Sequence, residues 1–379
     1  MPQLTVEQFA LGARGWLTRN SPSAPRDYGA ILPPELADEA RRWQSTLFDA
    51  GWAGIHWPTT VGGRGLSPAH QAAWITECAI AQVPAFLNMV GIVLAGGSLL
   101  AFGTPAQQAE HLRPIISGER IWCQLFSEPG AGSDLAGLAT SAVRSGNRFV
   151  LNGQKVWCSN GRVADWGILM ARTDPDAPPH RGISFFVLDM SLAGVETRPL
   201  RQMNGASEFD EVFLADVEVP ADCLLGPLHG GWMVGMATLT NERGHIGAAG
   251  IALNRRLDAL IGAGGGVNHP GRGADGRDVV DRDALAQLWI RGKVLSTMSQ
   301  RHGPVASVLG SVAKLGTTEL LFDVAMHQAT TQGAAAMLDG PATASLLTAP
   351  GGRIAGGTSQ IQRTLIGERI LGLPREPRG

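Results

Sequence analysis

The hydrophobic period of the chain changes twice. From the start to about Gly118 apolar residues recur at helical spacing. Phe9, Ala13, Trp16 and Leu17 share a face behind Thr5-Val-Glu-Gln8, which has the form of a capping box. Ser67-Pro68 and Thr104-Pro105 each set a hydroxyl residue ahead of a proline suited to a first helical turn. From about Glu119 the period becomes two, and residues 121–126, 148–151, 154–159, 182–189, 195–201 and 211–219 are predicted strands. Asn152-Gly153, where both positions tolerate positive φ, predicts a hairpin turn between two of them. After Pro220 the helical period returns over 230–261, 281–302, 308–337 and 358–373, which short connections would join into an antiparallel bundle. Residues 262–278 are glycine-rich without periodicity and are predicted as an exposed loop. The pattern therefore predicts an α+β protein in three parts: an N-terminal α-helical domain over 1–118, a β domain over 119–222 and a C-terminal four-helix bundle over 223–379.

Composition narrows the function classes. A chain of 379 residues buries enough surface to need no disulfide or metal staple. Its formal net charge of −2, with no basic run, argues against nucleic acid as partner and favours a small molecule. The N-terminal residues lack the basic end and apolar core of a signal peptide, and no uncharged apolar run spans a bilayer. A cytoplasmic protein without membrane partners is the expectation. Cys78, Cys123, Cys158 and Cys223 form no CxxC pair and the histidines show no HxxxH or HExxH spacing, so no metal site is expected. There is no Gly-x-Ser-x-Gly elbow to suggest hydrolase chemistry.

The stretch with chemical character is Ser127-Glu-Pro-Gly-Ala-Gly-Ser-Asp134. Small residues leave a bare backbone whose N–H groups can face an anion or a polar ring edge, with Ser127 and Ser133 adding directed donors. A dinucleotide fingerprint would have to open a helix, whereas this loop leads into strands. Flavin, a CoA-type phosphate or a structural turn remain open. On an alternating strand Trp157 and Ser159 would share a face, with Lys155 beside them, an indole next to a hydroxyl being a suitable wall for a flat heteroaromatic ring, or else ordinary core.

Ser127–Asp134, the run Asn152-Gly-Gln-Lys-Val-Trp-Cys-Ser-Asn-Gly161 and the late segment Ala355-Gly-Gly-Thr-Ser-Gln-Ile-Gln-Arg363, continuing to Leu-Gly-Leu-Pro374, together resemble the acyl-CoA dehydrogenase family over nearly the whole chain. The closest resemblance is to an actinobacterial-type subgroup. It implies FAD at the junction of the β domain and the C-terminal bundle, a tetramer, and removal of two hydrogens from Cα and Cβ of an acyl-CoA or carrier-protein thioester, with an electron-transfer flavoprotein-like acceptor. Carried over by position, Phe126 and Ser127 edge the flavin, Ser133 lies by the diphosphate and the acyl-CoA, Trp157 and Ser159 line the ring, and Thr358 and Gln360 match later FAD contacts.

The chain departs from the family at the base. The usual Glu-Gly-Thr triplet reads Gly356-Gly357-Thr358, which leaves Gly356 only a backbone N–H to offer the thioester carbonyl. A minority of the family carries the base on the first long bundle helix just before an arginine, and there this chain has Glu242-Arg243. The resemblance thus implies Glu242 as catalytic base and Arg243 as a substrate or site-ordering residue. The family's Arg-x-x-Phe-Gly segment for the FAD tail is replaced by 262–278, which leaves room for a heterotetramer completed by a partner chain as well as a homotetramer. A flavin monooxygenase on the same fold and a non-catalytic half-site subunit are the alternatives. Small residues in the stretch 87–100 (Gly91, Ala95, Gly96, Gly97) suggest room for a bulky or polycyclic acyl chain.

Overall fold

Five helices come first: α1 (Val6–Asn20), α2 (Ala37–Asp49), α3 (Pro68–Ala81), α4 (Gly96–Phe102) and α5 (Pro105–Ser117). The capping signals act as their chemistry dictates. Thr5 Oγ1 accepts from the Gln8 N–H at 3.2 Å while the Gln8 side chain accepts from the Thr5 N–H at 3.2 Å, and Thr104 with Gln107 repeats the exchange at the start of α5. Ser67 differs, its hydroxyl pairing with His70 Nδ1 at 2.8 Å instead of capping the backbone. A wholly buried π-helical turn, Val90–Ala95, runs directly into α4. The computed structural model describes residues 4–26, 31–244, 247–264, 282–299 and 304–375, of which 241–244, 247–249, 251–252, 263–264, 299 and 304–308 are described by backbone alone.

Seven strands follow: β1 (Trp122–Leu125), β2 (Ser141–Ser145), β3 (Arg148–Ser159), β4 (Trp166–Arg172), β5 (Ile183–Asp189), β6 (Val195–Leu200) and β7 (Phe209–Pro220). They form two groups. β4 lies between a parallel β1 and an antiparallel β5, and β2-β3-β7-β6 make an antiparallel run, joined to the first group where Ser141 pairs with Arg172. Leu125, Leu169, Ala171, Phe186 and Leu188 of the first group share one core with Phe149, Leu151, Val212, Leu214 and Val217 of the second, and the Phe149 and Phe186 rings meet edge to face at 5.2 Å. Ile168, Met170, Phe185 and Val187 join the core of the N-terminal helices. Strands β4 and β5 are therefore covered on both faces, which is why they read as continuous apolar runs while β7 alternates over its first half.

The hairpin expected at Asn152-Gly153 does not form. β3 passes straight through both residues, and the turn that joins it to β2 is at Gly146-Asn147, with Gly146 at φ +62°. A Cβ on Gly153 would stand 2.4 Å from Thr140 Oγ1, so this glycine serves a close approach. The β3–β7 register shifts here, and Asn152 exchanges two bonds with Asp216: the Asp216 N–H reaches Asn152 Oδ1 at 2.9 Å and Asn152 Nδ2 reaches Asp216 Oδ1 at 3.0 Å.

The chain divides into two compact units, Met1–Asn241 and Glu242–Gly379. The expected helix 230–261 consists of α6 (Gly231–Gly244) and α7 (Gly247–Gly264), with 245–246 outside the described residues. α8 (Arg282–Ser299) and α9 (Pro304–Gln332) match two more expected helices and pack with α7 around Leu253, Leu257, Leu288, Leu320 and Val324. α10 (Pro341–Gly352) has no counterpart in the periodicity, because Pro341 opens it and Pro350 interrupts its last turn. α11 (Ser359–Leu365) passes into a wider turn, Ile366–Ile370. Of the loop expected at 262–278, residues 262–264 belong to α7 and the remainder lies outside the described residues. No helix among the described residues is long and apolar enough to cross a membrane. The helical, β and helical succession is the one the pattern predicts.

Because of the contact with Thr140, Gly153→Ala is expected to cost about 1–3 kcal/mol of stability. A urea denaturation series reads this directly, and an unchanged midpoint would mean that β3 does not need the close approach.

Candidate active site

The glycine-rich loop starts where β1 ends. Glu128 and Ala131 pair across Pro129-Gly130, each N–H bonding the other's carbonyl (2.9 and 3.1 Å). The buried Glu128 carboxylate accepts from the Ala139 N–H at 2.6 Å, the Thr140 N–H at 2.9 Å and Lys155 Nζ at 2.7 Å. Lys155, fully buried, also donates to the Phe126 carbonyl at 3.0 Å. One lysine thus ties the entrance of the loop to its acidic residue and to β3. Burial works to raise the Glu128 carboxyl, but the Lys155 charge and the bonds from Lys155, Thr140 and Ala139 outweigh it and hold the group below its ordinary value. Burial pulls Lys155 down against the same attraction.

This geometry corrects the expectation that Lys155 stands beside Trp157 and Ser159. The β3–β7 register slips between Lys155 and Cys158, and Trp157 takes a left-handed φ of +60°. A bulge adds one residue and restarts the alternation. Lys155 and Cys158 point into the core, while the Trp157 indole is 54% exposed with its edge against Phe209 at 5.8 Å. Ser159, half-buried, is paired with Phe209 at the end of the strand.

The other loop residues fall into place around the bulge. Ser127 is half-buried and its carbonyl accepts the Val156 N–H at 2.9 Å, which sets the loop beside Trp157. Phe126 is buried with its ring edge-on to Phe185 at 5.6 Å. Ser133 stands exposed, and a Cβ on Gly130 or Gly132 would meet nothing within 4 Å. Ser127 is thus set beside Trp157, and Trp157 and Ser159 both adjoin Phe209, while Phe126 follows β1 with its ring turned into the core and Ser133 stands on an open rim.

Two supports escaped the sequence reading. Asn160, at φ +66° and buried, donates to the Leu32 carbonyl at 2.7 Å and accepts from Asn88 Nδ2 at 3.1 Å, anchoring the end of β3 to the N-terminal region. Asp210, also buried, holds Arg162 Nε at 2.6 Å; burial raises its carboxyl and Arg162 opposes the rise. A signal existed for Lys155, a lysine in the middle of a strand in a chain with very few lysines. Two of the glycines expected to leave room for an acyl chain are already closely packed: a Cβ on Gly91 would stand 2.7 Å from Asn88 Oδ1, and one on Gly96 would stand 2.3 Å from the Trp57 ring.

The second unit holds the turn Gly356-Gly357-Thr358, with φ of +64° and +91° at the glycines. Buried Lys314 of α9 donates to the Gly357 carbonyl at 2.7 Å, and Gln362 Nε2 donates to the Gly356 carbonyl at 2.9 Å. Thr358 caps α11, its Oγ1 accepting from the Ile361 N–H at 3.2 Å, and Gln360 is exposed in the first turn. Ser359 donates to Glu319 at 2.5 Å; this bond together with Arg353 at 3.0 Å keeps the Glu319 carboxyl below its ordinary value. The backbone at Glu242 and Arg243 is helical, as the last turn of α6, and their side chains lie outside the described residues. Upstream, α6 approaches its neighbours closely along one stripe. A Cβ on Gly231 would stand 2.4 Å from the Ser184 backbone, one on Gly235 would stand 2.7 Å from Met170 Sδ, and Thr238 Oγ1 lies 2.7 Å from Ser98 Oγ.

Comparison with known proteins agrees with this arrangement. Three family models match in succession: the acyl-CoA dehydrogenase N-terminal domain over 32–119, the middle domain over 123–217 and the C-terminal domain over 229–371. The chain belongs to the acyl-CoA dehydrogenase family and is an oxidoreductase of that kind. It is 38% identical over 397 residues to the acyl-CoA dehydrogenase IpdE1 of Mycobacterium tuberculosis, covering 99% of each chain. Among solved structures, the Tcur3481-Tcur3483 steroid ACAD superposes with a TM-score of 0.81 at 25% identity, covering 99% of each chain. The ChsE4-ChsE5 complex from Mycobacterium tuberculosis gives 0.79 at 27% identity, covering 99% of this chain and 100% of that one.

Removing one partner of the buried pair should be costly. Lys155→Ala is expected to lose about 3–5 kcal/mol, since it strands a buried carboxylate. Glu128 titrates lower in the folded state than in the unfolded one, so its contribution is present above the unfolded value and is lost as pH falls through the folded one. Urea midpoints measured from neutral to acid pH should therefore fall less steeply in the variant than in the parent; equal slopes would contradict the pairing.

Proposed function

We propose that the protein catalyses FAD-dependent α,β-dehydrogenation of an acyl-CoA thioester, with Glu242 as the base. The observation that carries the flavin reading is Trp157. A large indole held at positive φ and left more than half exposed beside a bare glycine loop is not core packing, and it suits the face or edge of a flat ring. The residues present fit the cofactor. Phe126, Ser127, Trp157 and Ser159 would hold the isoalloxazine, Ser133 and the open backbone at Gly130 and Gly132 the diphosphate side, and Thr358 and Gln360 further FAD contacts. The Thr358 hydroxyl oxygen already accepts from Ile361, which leaves its O–H free to donate. When bound, FAD supplies the acceptor for the hydride leaving Cβ.

The chain's own part is the proton. A thioester α C–H is a weak acid, so a carboxylate must take the proton while N–H donors stabilise the charge developing on the carbonyl. With glycine at 356 and 357 no carboxylate stands in that turn, and Gly356 offers its N–H. Glu242 falls on the stripe that Gly231, Gly235 and Thr238 begin, by helical spacing, and not on the opposite face of α6. Arg243 follows as a residue ordering the thioester or the site.

The likeness to the ChsE4-ChsE5 and Tcur3481-Tcur3483 proteins supports assembly with a second, related chain, and the steroid designation of the latter supports a bulky polycyclic acyl group. An electron-transfer flavoprotein-like acceptor would then reoxidise the enzyme. Isolation of the chain by itself as a fully flavinated homotetramer would argue against a partner.

Anaerobic titration with octanoyl-CoA, cyclohexane-1-carbonyl-CoA and cholanoyl-CoA should bleach the flavin, the last most rapidly. Glu242→Gln should retain FAD but slow bleaching by about 10²-fold or more. A variant that bleaches at the parent rate would remove Glu242 from the mechanism.

A further inference from the structure

Ser98 of α4 and Thr238 of α6 are both buried, and their hydroxyl oxygens lie 2.7 Å apart. Each also reaches back to its own helix, Ser98 Oγ to the Leu94 carbonyl at 2.8 Å and Thr238 Oγ1 to the Val234 carbonyl at 2.8 Å. Two hydroxyls carry two protons, yet three bonds require one each. One back-bond must therefore yield whenever the two helices are tied. The tie is the last described side-chain contact on the close-packed stripe of α6, one turn before Glu242. The partner helix continues directly from the buried π-helical turn Val90–Ala95, where Leu94 supplies the competing carbonyl.

We propose that the Ser98–Thr238 pair is a positioning device for the catalytic helix. It fixes the rotation and depth of α6 one turn ahead of Glu242, the residue to which the proposed proton transfer is assigned. This rests on the assignment of Glu242 as base. Gly231 and Gly235 bring the start of α6 close by removing side chains, a contact that tolerates sliding. The hydroxyl pair is directional and sets a single register. Neither residue touches substrate or flavin in this account; both act through Glu242. Loss of the tie is cheap for folding, because either hydroxyl left alone is satisfied by its own helix.

The test uses the full-length flavinated protein, with its partner chain if one is required, and cholanoyl-CoA as probe in anaerobic stopped flow. Ser98→Ala and Thr238→Val should each slow flavin bleaching about tenfold, in kcat and not in KM, with flavin content and thermal midpoint close to the parent. Ser98→Ala/Thr238→Val should be no slower than either single variant, since the shared contact is lost only once. Thr238→Ser should restore the parent rate. Parent-like bleaching in Ser98→Ala, additive losses in the double variant, or a loss confined to KM would each overturn the proposal. Glu242→Gln separates the two levels: if it is slow while Ser98→Ala is fast, only the positioning role falls, whereas a fast Glu242→Gln removes the base and the inference with it. A parent enzyme that cholanoyl-CoA does not bleach overturns both.

Discussion

The first unit depends on a buried ion pair. Lys155 and Glu128 have been taken out of water at a cost that their attraction alone would scarcely offset. What makes the arrangement stable is that Glu128 also collects two backbone N–H groups and Lys155 a carbonyl. These partners belong to three separate places: the end of β1, the approach to β2, and β3. No apolar pair of equal volume could specify that junction, because only directed bonds distinguish one loop geometry from its neighbours. The bare loop stays open because its shape is imposed from beneath.

The same pair explains Trp157. With Lys155 committed inward and Cys158 inward as well, the residues between them have one position too many for a regular strand. The bulge and the left-handed φ at Trp157 are the result. The strain of holding a non-glycine residue there, about 1–3 kcal/mol, is offset by the packing on either side. The consequence is a large aromatic surface turned outward next to a loop with exposed backbone. Fold and candidate chemistry meet at this point, and the family to which the chain belongs gives the meeting its meaning.

On α6 a different device serves a related end. Two glycines and a threonine on one stripe bring the helix against β5, β4 and α4. The approach leaves no room for a side chain at Gly231 or Gly235, so the start of α6 is held against its neighbours by backbone contact.

Much of this was legible in the residues. The capping boxes at Thr5 and Thr104, the change of period near Glu119 and the return to helix after Pro220 are local signals, governed by backbone donors and side-chain spacing within a turn or two. The motif resemblance singled out the loop Ser127–Asp134, the Trp157 segment and the glycine at 356 in one reading, and the family itself is the one it named. Asn152-Gly153 misled because its turn propensity is real but weak beside the Thr140 contact and the Asp216 bonds, all of which come from distant segments. Alternation misplaced Lys155 against Trp157 for the same reason: a bulge is decided by what the partner strand and the buried pair demand. Gly91 and Gly96 look like open space in one dimension and prove to be filled by Asn88 and Trp57 in three. By itself the sequence determined the elements, their order and the inventory of chemical groups, since these follow from short-range geometry. Only the tertiary structure decided which faces are buried, where the strand breaks its rhythm and which hydroxyls meet, because those depend on contacts between residues far apart in the chain.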